Sequence, residues 1–463
     1  MRPRSLLAAT VPLALVLVPA VALAHPGPSS HPGKNAHSSG DPADAVTLYR
    51  TDLPPLGTIG GAEIKGGAYG SSFTPKPGSD KVFYGLTDRG PNVDGPDGSK
   101  VEPLPDFQPA IGEFVLQHDG TARLVRRIGL SAFDGKPYNG QVNPDNGTSE
   151  TITDLDGTVL PSSFEGYDPE GLVALKDGTF WISDEYGPFI THFSRDGRAI
   201  GRLSPTDGTL PRELVEREPN KGMEGLTVTP DGNTLVGIMQ AGLNAPDGPK
   251  SKNVSTLRIV TVDLRSRQSH EYVYLLHNTD GADTAVSEIA AVDDHRFLVD
   301  ERDGDVEPGA NKKLFEIDLR GATDVGPSSR VPGTSYDGLH GGLIVAGGAI
   351  EKLVGKANTA DARTALEGAG IRPVSSDQFL DIAGLVTAID PIGGFFGHDK
   401  VEGVAVLDGG KRVILSNDND FGISGLANEA PPFQLAAKVL PNGAVDDGEL
   451  LEVDLRQVPA QFR

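Results

Sequence analysis

The chain has 463 residues, 64 of them acidic and 41 basic, and a formal charge of −23. That balance repels nucleic acid and suits a protein that collects cations. With no cysteine, disulfides, thiolate zinc sites and a thiol nucleophile are excluded.

At the start, Arg2 and Arg4 precede an apolar run from Leu6 to about Leu23 that ends in Ala22-Leu23-Ala24. The pattern predicts a signal peptide over residues 1–24, cleaved after Ala24 and exported by the ordinary Sec route. Pro12 and Pro19 interrupt the run, so no stable membrane anchor is expected after cleavage. Losing Arg2 and Arg4 takes the net charge to −25. Residues 25–44 are rich in His, Pro, Gly and Ser and predict a disordered linker. Residues 45–463 then form a single domain.

That domain is Gly- and Pro-rich, with short alternating apolar runs separated by Asp-Gly pairs such as Asp177-Gly178 and Asp231-Gly232. These are hairpin signals, and they predict an all-β protein. Four segments share one outline: DPEGLVALKDGTFWISDEYG from Asp168, GMEGLTVTPDGNTLVGIMQA from Gly222, VSEIAAVDDHRFLVDERDGD from Val286 and KVEGVAVLDGGKRVILSNDND from Lys400. A weaker copy begins at Gly66. Glutamates recur at 170, 224, 288 and 402. A second hairpin follows Glu170 in FITHFSRDGRAIGRLS, while FQLAAKVL and ELLEVDL follow Glu402 as expected outer strands. Four strands per repeat predict a β-propeller. The long interval between Glu288 and Glu402 has room for a degenerate blade, so six blades are favoured, with five or seven as alternatives. Residues 350–370 read as a short helical insertion.

In an antiparallel hairpin the turn centre fixes which residues face each other. Glu170 should face Asp184 or Glu185, Glu288 should face Asp300 or Glu301, and Glu402 should face Asn417 or Asp418. The partner of Glu224 lies near Ile238, with Gln240 just beyond. A propeller brings the starts of its inner strands to one mouth of the channel. The expectation is an acidic ring there that holds Ca²⁺ through Glu170, Asp184, Glu224, Glu288, Asp300, Glu402 and Asn417, since an oxygen-only donor set favours a hard cation. Arg89, Lys221, Lys400 and Arg302 should stand at the same mouth and suit a small anionic substrate such as a phosphate ester. Glu185 or Glu301 is the expected general base. His398, in a loop after Gly393-Gly394-Phe395-Phe396, would protonate the leaving group. Trp181, Phe180, Phe297 and Tyr84 read as core.

The motifs LTDRGPN, DPEGL…WISDEYGP, NKGMEGL, EIAAVDDHRFLVDERD, KKLFEIDLRGATD and DKVEGVAVL resemble those of the bacterial phytase-like proteins, named for an esterase-like activity of phytase. The resemblance runs from about Gly60 to Leu455 and implies phosphoester hydrolysis carried by Glu and Asp. The RHGxRxP motif of histidine-acid phytases is absent, as is the Gly-x-Ser-x-Gly elbow of serine hydrolases. The acid-Gly pattern also resembles the metal site of gluconolactonase-type propellers. The expected activity is therefore Ca²⁺-dependent phosphoester hydrolysis, with lactone or carboxylester hydrolysis and a metal-stabilised binding propeller as alternatives.

Overall fold

The computed structural model describes residues 40–463 apart from 147–149, 247 and 278–283. The expected signal peptide and residues 25–39 of the expected linker lie outside the described residues. The last linker residues are ordered: Pro42–Ala45 forms a 3-10 turn in which the Ala43 amide donates to the Asp41 carboxylate.

Among the described residues, five four-stranded antiparallel sheets form the blades, with one three-stranded and three two-stranded sheets beside them. Blade 1 runs through Ser72–Pro75, Val82–Leu86, Ala110–Leu116 and Ala122–Gly129. Blade 2 runs through Pro169–Ala174, Phe180–Asp184, Ile190–Phe193 and Ala199–Leu203. Blade 3 comprises Met223–Val228, Thr234–Met239, Thr256–Asp263 and Ser269–Leu275. Blade 4 comprises Ala285–Ala291, Arg296–Arg302, Lys312–Asp318 and Ser375–Asp381. Blade 5 takes Val401–Leu407, Arg412–Asn417 and Glu449–Asp454 from the end of the chain and Val46–Arg50 from its start. The first strands of the five blades touch in a closed circle, 1 to 5 and back to 1. The fold is a β-propeller, as the repeats predict.

Two expectations need correction. The blade count is five rather than six. The interval between Glu288 and Glu402 holds no hidden blade, because its extra length lies inside blade 4, between the third and fourth strands. There a hairpin, Ser335–Asp337 with Gly342–Ile344, precedes helices Ile350–Val354 and Thr359–Gly368. These helices are the insertion expected at 350–370, and Asn358 caps the second. The outer strands of blade 5 also differ. Glu449–Asp454 is the third strand, but Leu435–Ala437 pairs with Ile423–Leu426 outside the blade. The fourth place goes to Val46–Arg50, in register Val46 opposite Val453. One blade thus combines strands from the two ends of the described domain, which closes the ring without a covalent link.

Apolar side chains fill the spaces between blades. Between blades 2 and 3 they include Val173, Trp181, Leu226 and Leu235; between blades 3 and 4, Ile238, Ile259, Ile289, Val299 and Ile317. Trp181, Phe180, Phe297 and Tyr84 are all buried.

Register at the start of each inner strand decides what reaches the channel mouth. In blade 3, Met223 pairs with Met239 and Gly225 with Ile238, leaving Glu224 as the extra residue of a β-bulge. Blade 5 repeats this around Glu402, and blade 2 is irregular over Glu170 and Gly171. The glycine after each glutamate lets the next inner strand pass close by. A Cβ on Gly171 would stand 2.4 Å from the Leu226 backbone nitrogen, and one on Gly225 2.5 Å from that of Ile289. In blade 4 the bulge falls one residue earlier. Val286 pairs with Glu301 and Glu288 with Asp300, so Ser287 takes the place that glutamate holds elsewhere and Glu288 takes the place of glycine.

Candidate active site

The mouth is a cavity of about 550 Å³. Its floor comes from the bulged glutamates Glu170, Glu224 and Glu402. Its walls come from the residues that follow or end the second strands: Glu185, Gln240, Arg302 and Asp418. These four occupy equivalent positions in blades 2 to 5. Ten carboxylates and six cationic side chains line it, an excess of negative charge that a cation would offset.

Asp168, Glu170 and Glu185 lie closest together, with one oxygen from each within 4.8 Å of the others. Asp168 precedes the blade 2 inner strand and accepts the Arg89 amide at 3.2 Å. Glu185 accepts Gln240 Nε2 at 2.8 Å. Burial, then the neighbouring Glu224 and Asp168 charges, pushes Glu170 and Glu185 well above the ordinary carboxylate range. Burial, reinforced by Glu402, raises Glu224 to about 8, and its Oε2 has no hydrogen-bond partner among the described residues. Carboxylates crowded in this way favour either protons or a cation. The all-oxygen donor set fits Ca²⁺.

The four expected cations all line the mouth. Arg89 is buried, donates to Tyr186 Oη at 2.8 Å and meets Glu150 at 3.1 Å. Arg302 is ion-paired with Glu402 and donates to Ser287 Oγ at 2.7 Å. Lys400 Nζ lies 2.6 Å from Asp420 and 3.1 Å from Asp418. Lys221 makes no ion pair among the described residues.

Six other expected residues do not line the cavity. Glu288 lies deeper in the channel. Its Oε2 accepts Ser72 Oγ at 2.6 Å and its Oε1 accepts the Leu226 and Ile289 amides at 3.0 and 2.9 Å. Ser72 Oγ in turn accepts the Leu172 amide at 3.1 Å. Glu288 and Ser72 thus tie blades 1 to 4 together and plug the channel. Beyond the plug a second, more apolar cavity is lined by the far ends of the inner strands, including Val173, Val228 and Val404. Asp300 is buried opposite Glu288, with neither oxygen hydrogen-bonded among the described residues. Asp184 is buried and accepts the Gly187 amide at 2.8 Å. Glu301 accepts Tyr274 Oη and contacts His277. Asn417 and His398 belong to a buried network in which His398 lies between Asp446 at 2.8 Å and Glu449 at 3.2 Å. His398 is thus no mobile acid, and Glu301 is no base at the mouth.

One cause explains most of these displacements. Each bulge adds a residue before the glutamate's facing partner, so the mouth receives Glu185, Arg302 and Asp418 instead of Asp184, Glu301 and Asn417. Asp168, in the DPEGL motif, and Asp88, beside Arg89 in LTDRGPN, also line the cavity, though neither is among the expected ligands. Lys438, 2.6 Å from Asp420 and 2.7 Å from Asp399, lies far along the chain from every repeat and carries no local signal.

Residues 66–421 match the family described as phytase-like, esterase-like activity of phytase. The chain belongs to the phytase-like family. A protein of Arthroderma benhamiae described as an uncharacterized secreted protein is 33% identical over 174 residues, covering 29% of this chain and 34% of that one. This chain therefore matches about a third of that relative's length. Among solved structures, a xylan β-1,4-xylosidase from Bacillus halodurans C-125 shares 9% identity over 86% of this chain and 53% of its own, with a TM-score of 0.35. An inactive virginiamycin B lyase from Staphylococcus aureus shares 11% over 88% and 99%, with a TM-score of 0.29. The phytase-like match spans all five glutamate-bearing or related inner strands, from Ser72–Pro75 to Val401–Leu407. Among the described residues no helix is long and apolar enough to cross a membrane.

Proposed function

We propose that this phytase-like protein is an exported, cation-dependent hydrolase of small phosphate esters acting at the acidic mouth. The observation that supports it is the Asp168–Glu170–Glu185 group, three buried carboxylates within 4.8 Å, facing cationic side chains across one open cavity. Those three residues would hold the cation, taken as Ca²⁺. When bound it would neutralise the ring and supply positive charge for phosphoryl oxygens. Glu185, expected as the base, thereby becomes a ligand. Glu224, which lines the cavity and whose buried Oε2 has no hydrogen-bond partner among the described residues, is the group placed to accept a proton from an attacking water. Lys221 meets the substrate's anionic group, while Arg89, Arg302 and Lys400, already committed to carboxylates, hold the walls in place.

That commitment favours a second reading. With three of the four cations ion-paired, the mouth retains little unspent positive charge, which suits a neutral lactone better than a polyanion. One assay separates the two. Purified protein is offered generic phosphomonoester, phosphodiester and lactone substrates, each with Ca²⁺ and with chelator. Phosphoester turnover lost on chelation supports the first reading. Lactone turnover alone, lost in the same way, replaces it with the second.

A further inference from the structure

Blades 3 and 4 meet at a second group of reactive side chains, none of which lines the acidic mouth. We propose that Ser376, His277 and Glu301 form a serine-nucleophile site for carboxylic acyl esters that works without a metal. The inference goes beyond the cation-dependent reading and does not depend on it.

The geometry is that of a hydrogen-bonded relay. Ser376 Oγ lies 2.9 Å from His277 Nε2, and His277 Nδ1 lies 2.9 Å from Glu301 Oε1. Glu301 is fully buried, and its carboxylate is fixed by Tyr274 Oη at 2.6 Å and by the His277 amide at 3.2 Å. A carboxylate only accepts, so Nδ1 carries the imidazole proton and Nε2 presents its lone pair to the serine hydroxyl. The ring cannot swing away, because it stacks on Phe315 with centroids 3.6 Å apart and planes 3° from parallel. Nucleophile, base and orienting acid thus stand in the order that activates a serine on unrelated folds.

The strands explain the meeting. In the blade 4 register, Glu301 faces Lys313, Phe315 faces Gln378 and Ile317 faces Ser376, so Glu301, Phe315 and Ser376 share one face of the sheet. That face packs on blade 3, whose last strand ends at Leu275, two residues before His277. The acid is sealed while the reactive end is open: the His277 side chain is 25% exposed and Ser376 is half-buried. Ser376 lies on the edge strand of its sheet. Alternate amides along that strand point away from its single partner, and an oxyanion needs donors of this kind.

In the reaction, Ser376 Oγ attacks the acyl carbon and its proton passes to His277 Nε2. The ester C–O bond then breaks, and the alkoxide leaves with that proton. A water molecule adds to the acyl-serine, giving its proton to Nε2. The Oγ–acyl bond breaks, the acid departs and Oγ recovers the proton. Glu301 is a positioning residue throughout.

The test uses the whole protein with excess chelator and a biotinylated alkyl fluorophosphonate, with the labelled peptide mapped by mass spectrometry. Hydrolysis of a short-chain p-nitrophenyl ester is followed in parallel. Label should appear on Ser376 and vanish in Ser376→Ala, with ester turnover falling by at least about a hundredfold. His277→Asn should abolish both as well. Glu301→Gln should slow labelling and ester turnover with an unchanged Michaelis constant, and Glu301→Asp should restore part of both. A purely structural acid would change the melting temperature and leave the labelling rate of the folded protein unchanged. No label at Ser376, a labelling rate unchanged in His277→Asn, or ester hydrolysis absent from wild type or retained in Ser376→Ala overturns the proposal. Because chelator is present throughout, failure here leaves the cation-dependent reading of the mouth to its own assay.

Discussion

Blades 2 and 4 begin with hairpins of the same outline, yet their glutamates reach different surroundings. In blade 2, Glu170 falls in the bulged segment and stands at the mouth beside Asp168 and Glu185. In blade 4 the bulge takes Ser287, and Glu288 moves one place down the channel to bind Ser72 and two backbone amides. The first carboxylate is crowded by like charges and stands in a group that could hold a cation. The second is surrounded by donors and serves the ring itself. One residue of register separates a candidate functional group from a structural one, because alternate residues of a strand point in opposite directions.

The largest expected effect breaks this pair apart. Glu170→Gln keeps the shape of the side chain and removes one charge from the cation-holding group. It should weaken Ca²⁺ binding and turnover by about a hundredfold, the upper end of what substitution even of the groups behind metal ligands costs, with little loss of stability in chelator. Glu288→Ala should do the reverse. It leaves the Ser72 hydroxyl and the Leu226 amide without their acceptor, at about 1–3 kcal/mol for each buried group, and should leave Ca²⁺ affinity unchanged. Calorimetric titration and chemical denaturation of both variants measure the two quantities. If Glu288→Ala loses cation affinity as Glu170→Gln does, the two glutamates share one site and the division is wrong.

How much of this was legible beforehand follows from the same residues. Period-2 alternation and Asp-Gly turns mark the inner hairpins of blades 2, 3 and 5, so the propeller and the positions of Glu170, Glu224 and Glu402 could be read directly. A bulge has no comparable signature: PEGL, MEGL, SEIA and VEGV look alike, and only backbone pairing shows that the third is displaced. The blade count was hidden for another reason. An insertion inside a blade and an extra blade lengthen the chain equally, and the strand that completes blade 5 comes from Val46–Arg50, where nothing local announces a partner some four hundred residues away. His398 illustrates the limit for single residues. Its glycine-rich approach reads as a mobile loop, but Asp446 and Glu449, which enclose it, lie in a distant part of the sequence.

An intermediate effect concerns pH. Burial raises Glu288 to about 8 and both Glu102 and Glu216 to about 7. A carboxyl with a raised folded-state pKa holds its proton after the unfolded chain has released it. Such a group favours the fold at low pH, and that contribution is lost as pH climbs from about 4.5 to 8. His398 acts in the same direction. Although burial opposes its charge, Asp446 and Glu449 hold it up at about 9, so its contribution is complete below about 6.5 and is lost through pH 9. Stability should therefore fall steadily between about pH 4.5 and 9. Glu288→Gln should flatten the part below 8 and leave the histidine part intact. Melting temperatures across that range, in chelator, test this. A slope unchanged by Glu288→Gln would mean that the plug does not titrate with folding.

The smallest effect sharpens the contrast at the mouth itself, where blade 3 contributes Lys221 and blade 4 contributes Arg302. Arg302 is held by Glu402 and Ser287, so its charge is spent on the wall, and truncating it would disturb the ring as well as any ligand. Lys221 has no such partner among the described residues and lies in the cavity lining. Lys221→Ala therefore removes positive charge without unpairing a carboxylate, and Ca²⁺ affinity and melting temperature should stay close to wild type. With a phosphate ester, the Michaelis constant should rise about tenfold, the lower range for a charge-assisted contact. With a lactone it should change little, because a neutral ring has no anionic oxygen for the ammonium to meet. Steady-state kinetics of this one variant on both substrate types thus assign the free cation. A phosphoester Michaelis constant that matches wild type would remove Lys221 from substrate binding. The second reading of the mouth, a site for neutral esters, would then be the better account of a cavity whose other expected cations are bound to its own walls.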